Sequence, residues 1–232
     1  MAKAAIRNLL AQTSRVAGYL SSMERESKAH VNVLCYHRIL PSADKAAYFS
    51  PDLAVTPETF RKHCETLAEH YHVVPVSEAI ALFESGKAEK PIVALSFDDG
   101  YVDNLLFAAP ILKEFGLRAT FYVVSGLIGT TTPPWYDLLA RCVQELNEQG
   151  ENLDCLQVVE DAKSLPPQER KDLIEDYCAR LGGAPDFAKQ DLVMNAEQLN
   201  ELCADGHEIG SHSISHEILP LLDDEALERE VR

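Results

Sequence analysis

Residues 91–124 constrain this chain most. "PIVALSF" (Pro91 to Phe97) is a continuous apolar run, the pattern of a strand buried on both faces of a parallel sheet. "YVDNLLFAAPILKEFG" follows as a helix, with Gly116 as its stop and Pro110 marking a break or junction. "LRATFYVV" is the next buried strand. Strand, helix, strand is a βαβ unit with a right-handed crossover, so the fold class is α/β. Between the first strand and the helix stand Asp98, Asp99 and Gly100. Two adjacent carboxylates repel, so one is protonated, or both are solvated in an ordinary turn, or a cation lies beside them. The carboxyl edge of a parallel sheet is where α/β proteins gather functional groups.

The flanking sequence extends this alternation. "HVNVLCYHRIL" (His30 to Leu40) alternates and reads as a strand. Thr56 with Pro57 behind it caps a helix running to about His70. "YHVVPV" reads as a short strand, and "SEAIALFESG" as a helix capped by Ser77 and stopped near Gly86. From about 130 to 190 the alternation lapses. "PPWYDLLARCVQELNEQG" and "SLPPQERKDLIEDYCARLGG" are two helices without a strand between them, a helical insertion in the scaffold. "NAEQLNELCADG" is a further helix and "HEIGSH" a short strand entering a polar turn. The organisation expected is an N-terminal amphipathic helix at 1–29 and one domain at 30–232.

Charge and cysteines exclude some partners. With 21 Lys and Arg against 37 Asp and Glu the formal charge is −16, so no nucleic-acid partner is expected. No apolar stretch approaches the roughly 20 residues of a membrane span. Residues 1–22 place Ile6, Leu9, Leu10, Val16, Ala17 and Leu20 at near-helical spacing, and peripheral membrane contact through them stays open beside simple packing on the domain. The six cysteines show no C-x-x-C pair and read as reduced, mostly buried thiols of a cytoplasmic protein, poor as zinc ligands.

The second chemical signal is "HEIGSHSISHE", where His212 and His216 stand four apart. On one helical turn that spacing puts both imidazoles on one face, suited to a single metal ion, though surface histidines fall at this spacing by chance. The stretch follows a strand, so it too belongs at the carboxyl edge. Two histidines and a carboxylate form a common zinc set with open coordination positions, and the two signals together point to metal-assisted hydrolysis. Elsewhere, His207 reads as a strand histidine, His37 as a core residue able to point toward the pocket, and His63, His70 and His72 as surface residues. Trp135 and Tyr136 read as packing anchors before sugar-stacking groups.

"LSFDDGYVDN", "ATFYVV" and "GHEIGSHSISH" resemble the first two signature motifs of the polysaccharide deacetylases, the NodB-homology or carbohydrate esterase family 4 group. "VLCYHRIL" and the segment from Val55 to Ile80 resemble the lead-in of bacterial members. The resemblance implies a deformed (β/α) barrel and a metal-dependent hydrolase of non-peptide carbon–nitrogen bonds, removing N- or O-acetyl groups from sugars in surface-polysaccharide or glycolipid synthesis. It implies Asp99, His212 and His216 as metal ligands, zinc by default, and Asp98 as general base. The family pattern continues with an arginine motif, an Asp- and Trp-containing motif and a late histidine that serves as general acid. None is found in the sixteen residues after His216, so a barrel incomplete at the C-terminus, prone to self-association, is expected. A related hydrolase of small amides, and a non-catalytic remnant binding metal or sugar, remain the alternatives.

Overall fold

The computed structural model describes residues 30–232; the helix expected at 1–29 lies outside them. β1 (Asn32–Tyr36) is followed by β2 (Arg38–Ile39), so the expected single strand breaks at His37. Helix α1 (Ser42–Ala47) and β3 (Ala54–Val55), which pairs with β2, fill the proline-rich loop. In α2 (Pro57–His70) the Thr56 hydroxyl accepts from the Thr59 N–H, and Pro57 takes the first turn. β4 (His72–Val74) leads to α3 (Val76–Ser85), which Gly86 ends at φ 63°.

Ser77 does not cap α3, contrary to the sequence reading. The helix begins two residues earlier, after Pro75, and side chains of other strands occupy its first N–H groups. Val76 N–H donates to Thr120 Oγ1 at 2.9 Å and Ser77 N–H to Glu208 Oε2 at 3.3 Å.

β5 (Ile92–Phe97) is buried at every position, as its unbroken apolar run requires. The chain then enters a π-helical turn, Asn104–Ala108, and α4 (Ala109–Glu114). Pro110 lies just past that junction. It has no N–H and its ring crowds the carbonyl four residues back; the wide turn, with Ala109 N–H bonded to Asn104 O, accommodates it. β6 (Thr120–Val123) completes the βαβ unit.

The insertion holds three helices where two were expected: α5 (Trp135–Glu148), α6 (Cys155–Lys163) and α7 (Pro167–Leu181). The signal for α6 is Asp154, whose carboxylate accepts from Gln157 N–H at 3.0 Å. Leu139, Val143, Leu146, Val159 and Tyr177 give the three a core of their own. α8 (Ala196–Ala204) starts with a capping box between Asn195 and Gln198, and β7 (Glu208–Ser211) and α9 (Asp224–Val231) follow.

The sheet is wholly parallel, in the order β1-β5-β6-β7, with β4 also on β5. β1 lies along Val93–Phe97, while β4 and β6 pair with Ile92–Ala94 and Ser96–Phe97. The main core fills the space between sheet and helices, with Phe97 stacked on Phe121 at 4.8 Å and Phe60 edge-on to Phe97. Burial does not alternate along β1: Val33 (54%), Leu34 (39%) and Cys35 are all exposed, because among the described residues β1 is an end strand. All six cysteines are free, yet only Cys64 and Cys142 are fully buried, fewer than expected.

Candidate active site

The β1–β5 register brings two strand ends to one edge, where Asp98 N–H donates to Tyr36 O at 2.9 Å. Asp99 takes φ 72° and Gly100 φ 76°, so the backbone reverses hand at the carboxylate pair. The two side chains therefore meet different neighbours. Asp98 is half-buried and accepts from Cys35 Sγ at 3.2 Å, while Asp99 is 3% exposed and lies under the histidines. A Cβ on Gly100 would stand 2.7 Å from Val123 Cγ1, so this turn requires glycine for its space as well as its φ.

His212 and His216 converge without the helical turn that their spacing suggested. His212 N–H continues the ladder to Val123 O at 2.9 Å. Ser213 (φ 64°) and His216 (φ 58°) then fold the chain back, and Ser213 Oγ accepts from His216 N–H at 3.0 Å. A helix would put both rings on one face; here a tight turn does so, with ring centroids 5.0 Å apart. Glu230 of α9 holds the turn, accepting from Ile214 N–H at 3.2 Å, Ser215 N–H at 2.9 Å and Ser215 Oγ at 2.5 Å.

Nε2 of His216 lies 3.3 Å and Nε2 of His212 3.6 Å from Asp99 Oδ1. Ligand atoms of all three residues fall within 4.8 Å of one another. Burial disfavours the charged form of Asp99, but the adjacent His216 outweighs it and holds the carboxyl below its ordinary value. In His216 burial pushes down, and Asp99 more than reverses it. Asp99 Oδ1 is buried with no hydrogen-bond partner, an arrangement that costs free energy unless a cation completes it. Two imidazoles and one carboxylate are the donor set of an open zinc site, so the residues fit a divalent ion.

The insertion contributes to this site more than the sequence suggested. Trp135 Nε1–H donates to His216 O at 3.1 Å, and the Tyr136 ring stands edge-on to His216 at 5.2 Å. Both residues are packing anchors, as expected, but what they anchor is His216. Arg170 of α7 lies over the Trp135 ring at 4.7 Å and is ion-paired with Glu217. A cleft of about 410 Å³ opens beside His212, His216, Glu217 and Glu230.

Sequence reasoning missed the support beneath the carboxylates. Arg38 is 1% exposed, ion-paired with Asp103 and, at 2.6 Å, with Asp191, and stacked over the Tyr101 ring at 4.0 Å. Asn104 Nδ2–H donates to His37 O at 2.9 Å. The available signal was that Asp103 and Asn104 lie inside "FDDGYVDN". His207, expected in the strand, stands one residue before β7 and is buried, its Nδ1 accepting from Ala119 N–H at 3.2 Å. His63, His70 and His72 are exposed, and His63 also bonds the Tyr36 hydroxyl at 3.0 Å.

A sequence model described as polysaccharide deacetylase matches residues 85–232. The curated Bacillus subtilis (strain 168) protein YxkH, whose name assigns it to the polysaccharide deacetylases, is 24% identical over 157 residues, covering 66% of this chain and 52% of its own. The chain thus spans about half the length of that relative. Among solved structures, the Streptococcus pyogenes deacetylase PplD in complex with acetate superposes with a TM-score of 0.53 at 19% identity, over 86% of this chain and 63% of that one. IcaB from Ammonifex degensii gives 0.47 at 20% identity, over 84% and 57%.

Proposed function

This chain belongs to the polysaccharide deacetylase family, and on that premise we propose that it is a metal-dependent hydrolase removing N- or O-acetyl groups from the sugars of a polysaccharide or glycolipid. In this reading the parallel sheet is part of the family's deformed (β/α) barrel. Asp99, His212 and His216 hold one divalent ion, zinc by default. The supporting observation is the buried, unpartnered Asp99 Oδ1 facing both imidazoles. When bound, such an ion lowers the pKa of its water to about 7 and polarises the acetyl carbonyl.

The residues of the chain divide the remaining work. Asp98, the half-buried neighbour of Asp99, accepts the proton that the attacking water releases. Trp135 and Tyr136 fix His216 through its carbonyl and its ring, which limits how far the imidazole can turn. The Glu230 bonds to residues 214 and 215 hold the same turn from the other side.

The test is metal content together with acetate release from chitooligosaccharides, before and after chelation. One tightly held ion per chain and acetate release that chelator abolishes and zinc restores are expected. His212→Ala with His216→Ala should remove the ion; unchanged metal content in that double variant would refute the assignment.

A further inference from the structure

We propose that Cys35, His37 and Asp98 form a second metal site beside the first, one that takes a thiophilic divalent ion such as zinc or cadmium and thereby occupies the carboxylate of Asp98.

The geometry comes from strand register. Cys35 pairs with Ser96 and Tyr36 with Phe97, and the Asp98 N–H to Tyr36 O bond extends that register by one step. Residues directly opposite in a parallel pair share a face, and alternate residues of one strand share it too. Cys35, His37 and Asp98 therefore project from the same side, whereas Tyr36 and Phe97 project into the main core. One ligand atom from each of the three lies within 4.8 Å of the other two. Cys35 Sγ is already 3.2 Å from Asp98 Oδ2, close to the roughly 3.5 Å between ligands that zinc bond lengths of about 2.0–2.3 Å imply.

Chemistry and access suit such an ion. A thiolate, an imidazole and a carboxylate are a mixed set that zinc and cadmium accept, with a water in the fourth position. Cys35 is exposed on the end strand, so an ion reaches it from solvent. Binding forms the sulfur–metal bond and releases the thiol proton to water. The carboxylate thus engaged is the one assigned the water's proton, so the second ion inhibits. Binding stands apart from the reading of Asp99, His212 and His216; only the effect on turnover rests on it.

The experiment is a cadmium titration of the 232-residue chain, following the thiolate-to-cadmium charge-transfer band in the ultraviolet, with zinc stoichiometry measured in parallel. The wild type should show the band and, in excess zinc, two ions per chain. Cys35→Ser should lose the band and one ion, and His37→Ala should weaken cadmium binding at least tenfold. His212→Ala with His216→Ala should lose the other ion but keep the band, which separates this site from the first. Excess zinc should inhibit acetate release by the wild type more than by Cys35→Ser. No band in the wild type would overturn the proposal, whatever the variants do. A band surviving in Cys35→Ser would assign it to another thiol, and an unchanged affinity in His37→Ala would reduce the site to a lone cysteine; either result would overturn it as well.

Discussion

The Tyr101 hydroxyl donates to Asp137 Oδ2 at 2.6 Å, with both side chains buried. That bond fastens the turn carrying Asp98 and Asp99 to the first helix of the insertion. Tyr101→Phe leaves the buried Asp137 carboxyl with one donor fewer. The expected loss is about 1–3 kcal/mol of unfolding free energy, the usual cost of an unsatisfied buried group, measured by denaturant titration. A loss below the error of the titration would mean that water replaces the hydroxyl.

Asp137 also sets a pH dependence. Burial raises its carboxyl from 3.8 to about 6, although Arg38 and the Tyr101 hydroxyl oppose the shift. A carboxyl with a raised folded value binds its proton more tightly folded than unfolded. Its contribution is therefore present at low pH and lost as pH rises from 3.8 through about 6. Over that window the contribution is on the order of 2–3 kcal/mol. Asp137→Asn should remove this component, so the wild-type-minus-variant difference in unfolding free energy falls with rising pH; a flat difference would contradict the assignment.

Asp98→Asn and Asp99→Asn should separate two tasks. The first should keep the tightly held ion and lose about 10²–10⁴-fold in turnover, the usual scale for a general base. The second should weaken both metal binding and turnover. Metal analysis beside acetate release decides, and equal loss of metal in both variants would mean that the tasks are shared.

β1 presents one unpaired edge among the described residues, with Val33 and Leu34 exposed on it. Such an edge recruits other strands. The 232-residue chain should therefore self-associate with rising concentration, and Val33→Lys with Leu34→Lys should return it to monomer. Sedimentation velocity of both proteins reads this directly, and a monomeric wild type at high concentration would count against it.

The parallel strands were legible because a doubly buried strand needs an unbroken apolar run, and Ile92–Phe97 is one. Asp98 and Asp99 were legible because charge at the end of such a run needs a reason. Long-range partners were not. Ser77 looked like a cap because the sequence does not show Thr120 and Glu208 reaching the α3 N-terminus from other strands. The spacing of His212 and His216 pointed to convergence but not to its means, since non-glycine residues at positive φ carry little local signal. Tyr136 and Cys35 were undervalued for the same reason: each acquires its chemistry from a neighbour far away in sequence, His216 and Asp98.

Among the described residues, the non-glycine positions with left-handed backbones are Asp99, Ser213 and His216. Such a conformation costs about 1–2 kcal/mol at Ser213 and His216 and less at Asp99, since aspartate adopts it more readily, and two of the three are assigned ligands. Glycine there would relax the chain while deleting the carboxylate of Asp99, the hydroxyl that accepts from His216 N–H, or the imidazole of His216. Directed evolution for heat resistance alone, blind to turnover, should therefore enrich those replacements at positions 99, 213 and 216. The proposed metal site would be lost as the melting temperature climbed.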